Sequence, residues 1–228
     1  MKRFAATAVL LAAVGVTAGG DDPKPAAGGV VVDKDKRTVT VAAKVAPRKL
    51  PHLEEKYPIE LVAGWPHPKG KKAHEIVVAV DADPSEVHKG LEALGLRPGK
   101  PAKGADAKAE GPAVNVFIEV PGADGRTARR LTLDRVLYDP KTKKPAPKPT
   151  FRFTGSVLSA ADPTRPDEKK YGADLTGTLI ALFPVTDETV LQTDWTMREE
   201  KYLKLDVNPD VLPKEGSPVR LVIEAVGK

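Results

Sequence analysis

All four histidines of the chain, His52, His67, His74 and His88, fall within one short window. Imidazole titrates near neutral pH and is the commonest transition-metal ligand, so such clustering is what a metal centre would need. His74 stands just before the apolar run Ile76-Val77-Val78-Ala79-Val80 and is followed by Glu75. His88 flanks a helical stripe made by Val87, Leu91 and Leu94. Only Asp81-Ala82-Asp83 joins that strand to that helix, short enough for the helix to fold back and carry His88 toward His74. His74, His88 and Glu75 are therefore candidate ligands of a single divalent transition metal. The competing reading makes His88 a hydrogen-bonded core residue and His74 a polar residue at a strand entry, because buried polar groups ordinarily find partners inside the fold. Positions 76–78 are Ile-Val-Val, which excludes the His-Glu-x-x-His pattern of zinc proteases.

Other chemistries leave weaker marks. Asp81-x-Asp83-x-Ser85 with Glu92 echoes a calcium loop, but Glu86 occupies the position that needs glycine and Pro84 lies inside. None of Ser85, Ser156, Ser159 and Ser217 sits in Gly-x-Ser-x-Gly, and Gly155-Ser156 reads as a turn. The chain has no cysteine, which excludes disulfides, iron–sulfur clusters and thiol nucleophiles. With two Trp, four Tyr and five Phe in 228 residues, it is too poor in aromatics for stacking-based nucleic-acid binding. No phosphate-cradling glycine loop is present. Lys141, Lys143, Lys144 and Lys148, set among three prolines, offer a basic surface to an anionic polymer, with a solvated loop as the plain alternative.

The elements that must position these residues are mostly strands. Val39, Val41, Ala43 and Val45 alternate with more polar neighbours, and the turn Asp33–Lys36 pairs that strand with Val30-Val31-Val32. Further strands are predicted over 59–63, 76–80, 114–120, 129–133, 150–158, 176–183, 202–207 and 218–226, with Asp124-Gly125 as a hairpin turn. One helix is well marked: Asp83 as cap, Pro84 in the first turn, Glu86 closing a capping box, and Gly95 at its end. A second short helix is predicted at 134–138. The expected class is α+β: a mostly antiparallel sheet with one well-defined helix over about 83–95 and a second short one.

The N-terminus reads as an address. Lys2 and Arg3 precede an apolar stretch ending in Val16-Thr17-Ala18, the form of a signal peptide cut after residue 18. Residues 19–29 follow as a Gly/Pro/Ala-rich tether, then a single domain over 30–228. Val16-Thr17-Ala18-Gly19 has the form of a lipidation motif with glycine where the acylated cysteine belongs, so the expectation is a soluble periplasmic or extracellular protein, not membrane-spanning once the signal is removed. The formal charge is +5, of which Lys2 and Arg3 carry two; that mild excess permits an anionic partner without demanding one.

A family resemblance covers most of the mature chain. Lys72-Ala73-His74-Glu75, the stretch Glu86 to Gly99, Leu137 to Pro145, Phe153-Thr154-Gly155-Ser156 and Gly216-Ser217-Pro218-Val219 together resemble the YdjY-type domain of bacterial exported proteins. The resemblance implies an exported or lipid-anchored envelope protein. Where relatives carry Gly-Gly-Lys-Glu-His-Glu, this chain has Gly70-Lys71-Lys72-Ala73-His74-Glu75, with an acidic residue lost at Ala73. The expected function is thus a non-catalytic binding or scaffold protein without a cofactor, serving an envelope component or polymer rather than nucleic acid. The metal protein built on His74 and His88 is the alternative.

Overall fold

Hydrophobic alternation with period two tells which face of a strand is buried. It does not tell whether the first and last strands of a sheet meet. A computed structural model describes residues 29–122 and 128–227. Its strands are β1 (Val30–Asp33), β2 (Thr38–Val45), β3 (Leu61–Gly64), β4 (Ile76–Val80), β5 (Ala113–Pro121), β6 (Ala128–Thr132), β7 (Leu137–Tyr138), β8 (Phe151–Phe153), β9 (Leu158–Ala160), β10 (Lys169–Tyr171), β11 (Thr178–Ala181), β12 (Leu191–Thr193), β13 (Asp206–Val207) and β14 (Pro218–Ala225). Its helices are α1 (Pro84–Ala93), α2 (Leu133–Val136), α3 (Gly172–Thr176) and α4 (Met197–Tyr202). The main sheet runs β2-β14-β5-β8-β12-β11-β3-β4 and closes where β4 returns to β2, Ala43 opposite Val80 and Val45 opposite Val78. The α+β expectation is therefore corrected: the chain is an eight-stranded closed β-barrel with short helices. Two of its pairs, β3–β4 and β11–β12, are parallel within the otherwise antiparallel ring.

The core follows from register. Ile118, Leu221 and Val41 lie side by side across β5, β14 and β2, and Val116, Ile223 and Val39 form the next layer. All six are buried inside the barrel, where β-branched side chains pack well on the pleat. Leu61, Ile76 and Ala181 instead join Ala46 in a second, smaller cluster. That cover explains why the run 76–80 is apolar on both faces.

Helix α1 starts and ends where its signals predict. The Glu86 carboxylate accepts from the Asp83 N–H at 3.4 Å, and Asp174 of α3 accepts from the Ser85 N–H at 2.9 Å. Val87 and Leu91 reach the barrel core. Gly90 allows close approach, since a β-carbon there would meet Val32 at 3.2 Å and Val39 at 3.3 Å. Helix α2 ends at Val136, short of the expected 138, because Leu137 and Tyr138 pair with β13. The strand expected over 150–158 stops at Phe153, before Gly155 turns the chain at a φ of 67°. The signal segment 1–18, the tether up to residue 28 and the Asp124-Gly125 turn lie outside the described residues.

One feature of the wall positions a site. β5 pairs with β14 along one edge. Its other edge is divided: β8 pairs at Ala113 and Val114, β6 at Phe117 to Pro121. Asn115 and Val116 lie between, with a strand neighbour on the β14 side only. The chain leaves β6 through α2 and returns through residues 148–150 into β8, so the wall forks at this point.

Candidate functional site

The residues singled out by type and spacing fall into separate neighbourhoods. At the entry to β4, the Lys72 ammonium sits 2.7 Å from Glu60 Oε2 and 2.6 Å from Glu75 Oε2. His74 Nε2 lies 3.3 Å from Glu75 Oε1, and the Tyr57 ring meets His74 edge-on at 4.9 Å. Burial pushes the Glu75 carboxyl above its usual value against the pull of Lys72, and the neighbouring Glu60 charge adds to the rise. Burial works against the Lys72 charge too, but hydrogen bonds to Glu60 and Glu75 outweigh it and its pKa is raised. Beside this group Arg48 donates to Asp206 Oδ1 and to the Tyr57 carbonyl, each at 2.6 Å. The cation that two facing carboxylates would attract is already present as Lys72, and the network is closed upon itself.

His88 is held elsewhere. Its Nδ1 is 2.7 Å from the Tyr171 hydroxyl, and its Nε2 is 3.5 Å from Glu92 Oε1. The ring meets Phe153 edge-on at 5.0 Å and Tyr171 at 5.3 Å. Burial raises the Tyr171 pKa, so the phenol keeps its proton beside His88 Nδ1. Ser156 is engaged as well: its hydroxyl donates to the Val157 carbonyl at 3.1 Å and accepts from the Ala173 N–H at 3.0 Å. His74 and His88 thus have no contact partner in common. Among the described residues, no group of three or more His, Asp or Glu side chains converges as metal ligands would.

The lysine set is divided. The Lys141 N–H donates to Asp139 Oδ1 at 2.8 Å and the Lys144 N–H to Thr142 Oγ1 at 3.4 Å. Lys143, at a φ of 59°, holds its ammonium 5.5 Å from the Tyr138 ring centre. These three form one tight turn closed by the Tyr138–Pro145 bridge. Lys148 stands apart, on the wall of the fork.

The fork encloses a groove of about 440 Å³, within the range of small-ligand sites. Asn115, Phe117, Thr132, Asp134, Lys148 and Phe151 are among its lining residues. Asp134 Oδ1 is buried in the fold with no hydrogen-bond partner. A buried carboxylate oxygen left unpaired costs on the order of 1–3 kcal/mol, so a native fold carries few of them. Neither residue type nor spacing singles out Asp134. Its signal was a lone carboxylate inside the run Leu131-Thr132-Leu133-Asp134-Arg135-Val136-Leu137, which only the fold turns toward a groove.

The family model for the YdjY domain matches residues 30–224, most of the chain. No curated protein and no solved structure matches it significantly. Among the described residues no helix is long and apolar enough to cross a membrane.

Proposed function

We propose that this chain, which belongs to the YdjY domain family, is an exported, non-catalytic binding protein whose ligand seats in the groove at the β5 fork. The observation that carries this reading is the groove of about 440 Å³ at the fork, lined by Asp134 and Lys148 beside Asn115, Phe117 and Phe151. Binding is favoured over turnover because the groups with catalytic potential are engaged with one another: Glu75 with Lys72, His88 with Tyr171, Ser156 with neighbouring backbone. Export rests on the charged and apolar segment before residue 19.

The test is a fragment screen followed through backbone amide resonances of the chain from residue 19 onward. Shifts gathered on Asn115, Phe117, Thr132 and Thr150 are expected. Hits scattered elsewhere, or turnover of ester, phosphate or glycoside reporters abolished by Asp134→Asn, would overturn the reading. Export is checked by fractionating cells expressing the full chain; the protein is expected outside the cytoplasm with a new terminus at Gly19.

A further inference from the structure

The fold divides the four histidines into two kinds. His74 and His88 have ring nitrogens already engaged, the first on Glu75 and the second on Tyr171 and Glu92. His52 and His67 differ: among the described residues, neither ring meets a hydrogen-bond or ion-pair partner. The two rings instead meet each other, their centres 4.5 Å apart and their planes 32° from parallel. Both residues are exposed, so the contact hides little surface from water and burial does not account for it. The loops that carry them are pinned. Leu50 is buried, and its carbonyl accepts from the Leu53 N–H at 3.0 Å, closing the turn that holds His52. On the other loop the Gly70 N–H donates to the Pro66 carbonyl at 2.9 Å and the Lys71 N–H to the Thr176 carbonyl at 3.0 Å. The Lys69 ammonium lies 3.3 Å from the Trp65 ring centre beside them.

We infer that His52 and His67 form a two-imidazole site for a late first-row divalent cation, Zn²⁺ or Cu²⁺. A metal–nitrogen bond of about 2.0–2.1 Å puts the centre of a bound imidazole about 3.2 Å from the ion. Two imidazoles on one ion, set about 90–110° apart, then have centres about 4.5–5 Å from each other. The separation of 4.5 Å falls in that span. To aim a nitrogen each at one ion, the rings turn about their Cβ–Cγ bonds; both are exposed, and no hydrogen bond has to break. Imidazole nitrogen favours such ions over Ca²⁺ and Mg²⁺, which take oxygen ligands. Because the two loops hold the second ring beside the first, it joins the ion as a tethered arm at high effective concentration. Water or an outside ligand fills the remaining positions. Neither histidine lines the fork groove, so this site does not depend on the groove binding anything.

The experiment titrates Zn²⁺ into the purified protein, made without a histidine tag, and follows the imidazole resonances. Those of His52 and His67 are expected to shift together and to saturate at about one ion per chain. Ca²⁺ at the same concentrations is expected to move neither. His52→Ala and His67→Ala should each weaken Zn²⁺ binding about tenfold or more, while His74→Ala leaves it unchanged. Both positions are exposed loop residues, and thermal melts without metal check that the variants keep the fold. Rings that Zn²⁺ leaves unmoved overturn the inference. So does a Zn²⁺ affinity at His67 that survives His52→Ala, which would make the two histidines separate surface ligands. Shifts led by His74 and His88 would equally overturn it, by placing the ion elsewhere.

Discussion

Glu75 and Asp134 are both carboxylates drawn into the protein, and they have opposite surroundings. Glu75 places one oxygen on the Lys72 ammonium at 2.6 Å and the other near His74 at 3.3 Å. Asp134 has a buried oxygen with no partner, beside a groove. The first belongs to a satisfied network that ties β4 to the segment carrying Glu60 and needs nothing more. The second keeps one oxygen sealed in the fold without a partner. Family-like motifs drew attention to Glu75, yet paired charges in a fold are architecture more often than chemistry.

The contrast breaks most directly by truncation. Glu75→Ala leaves Lys72 half-buried with Glu60 alone, and is expected to cost about 2 kcal/mol in chemical denaturation, allowing for partial solvent exposure of the pair. Asp134→Leu is expected to change stability in the opposite sense, by zero to about 1 kcal/mol of gain, since it removes an unpaired buried acceptor and the groove has space for the side chain. Similar losses in both variants would mean that Asp134 is held by contacts in the fold, and the contrast would collapse. A smaller effect sharpens it from the His88 side. Tyr171→Phe removes the hydroxyl 2.7 Å from His88 Nδ1, which also accepts from the Ser156 backbone, and should cost about 1 kcal/mol. The signature is local: increased amide exchange around residues 88 and 156, with the fork unchanged.

How far the sequence could be read differs between these places. Local signals are honest about local structure, so the Asp83–Gly95 helix and the β1–β2 hairpin stand where capping, stripe and turn residues set them. His88 as a hydrogen-bonded core residue was legible too, from its place beside Val87 and Leu91. Closure of the barrel was not, because it depends on β4 meeting β2 and on three-residue strands such as β8 and β12, too short to show a period. Asp134 was illegible for the same reason: its groove arises from where β6 and β8 part along β5, a pairing between residues far apart in the chain. Nothing in the types or spacing of residues 131–137 says which way the carboxylate faces.

The finest test concerns the charge that Glu75 carries. Its pKa in the folded chain is raised, first by burial and then by Glu60, which shares the same Lys72 ammonium. A carboxyl whose folded pKa lies above the unfolded value of about 4.3 binds its proton more tightly in the native state. Its contribution to stability is then fully present below that unfolded value and is lost as the pH rises through the folded pKa. Glu75→Gln keeps the shape and removes the titration. The parent protein should therefore lose stability relative to Glu75→Gln as the pH is raised from about 4 towards neutrality. Denaturant midpoints of both proteins across that range measure the difference directly. A difference that instead grows in favour of the parent with rising pH would show that Lys72 dominates over burial, and that the pair stabilises as an ordinary ion bridge.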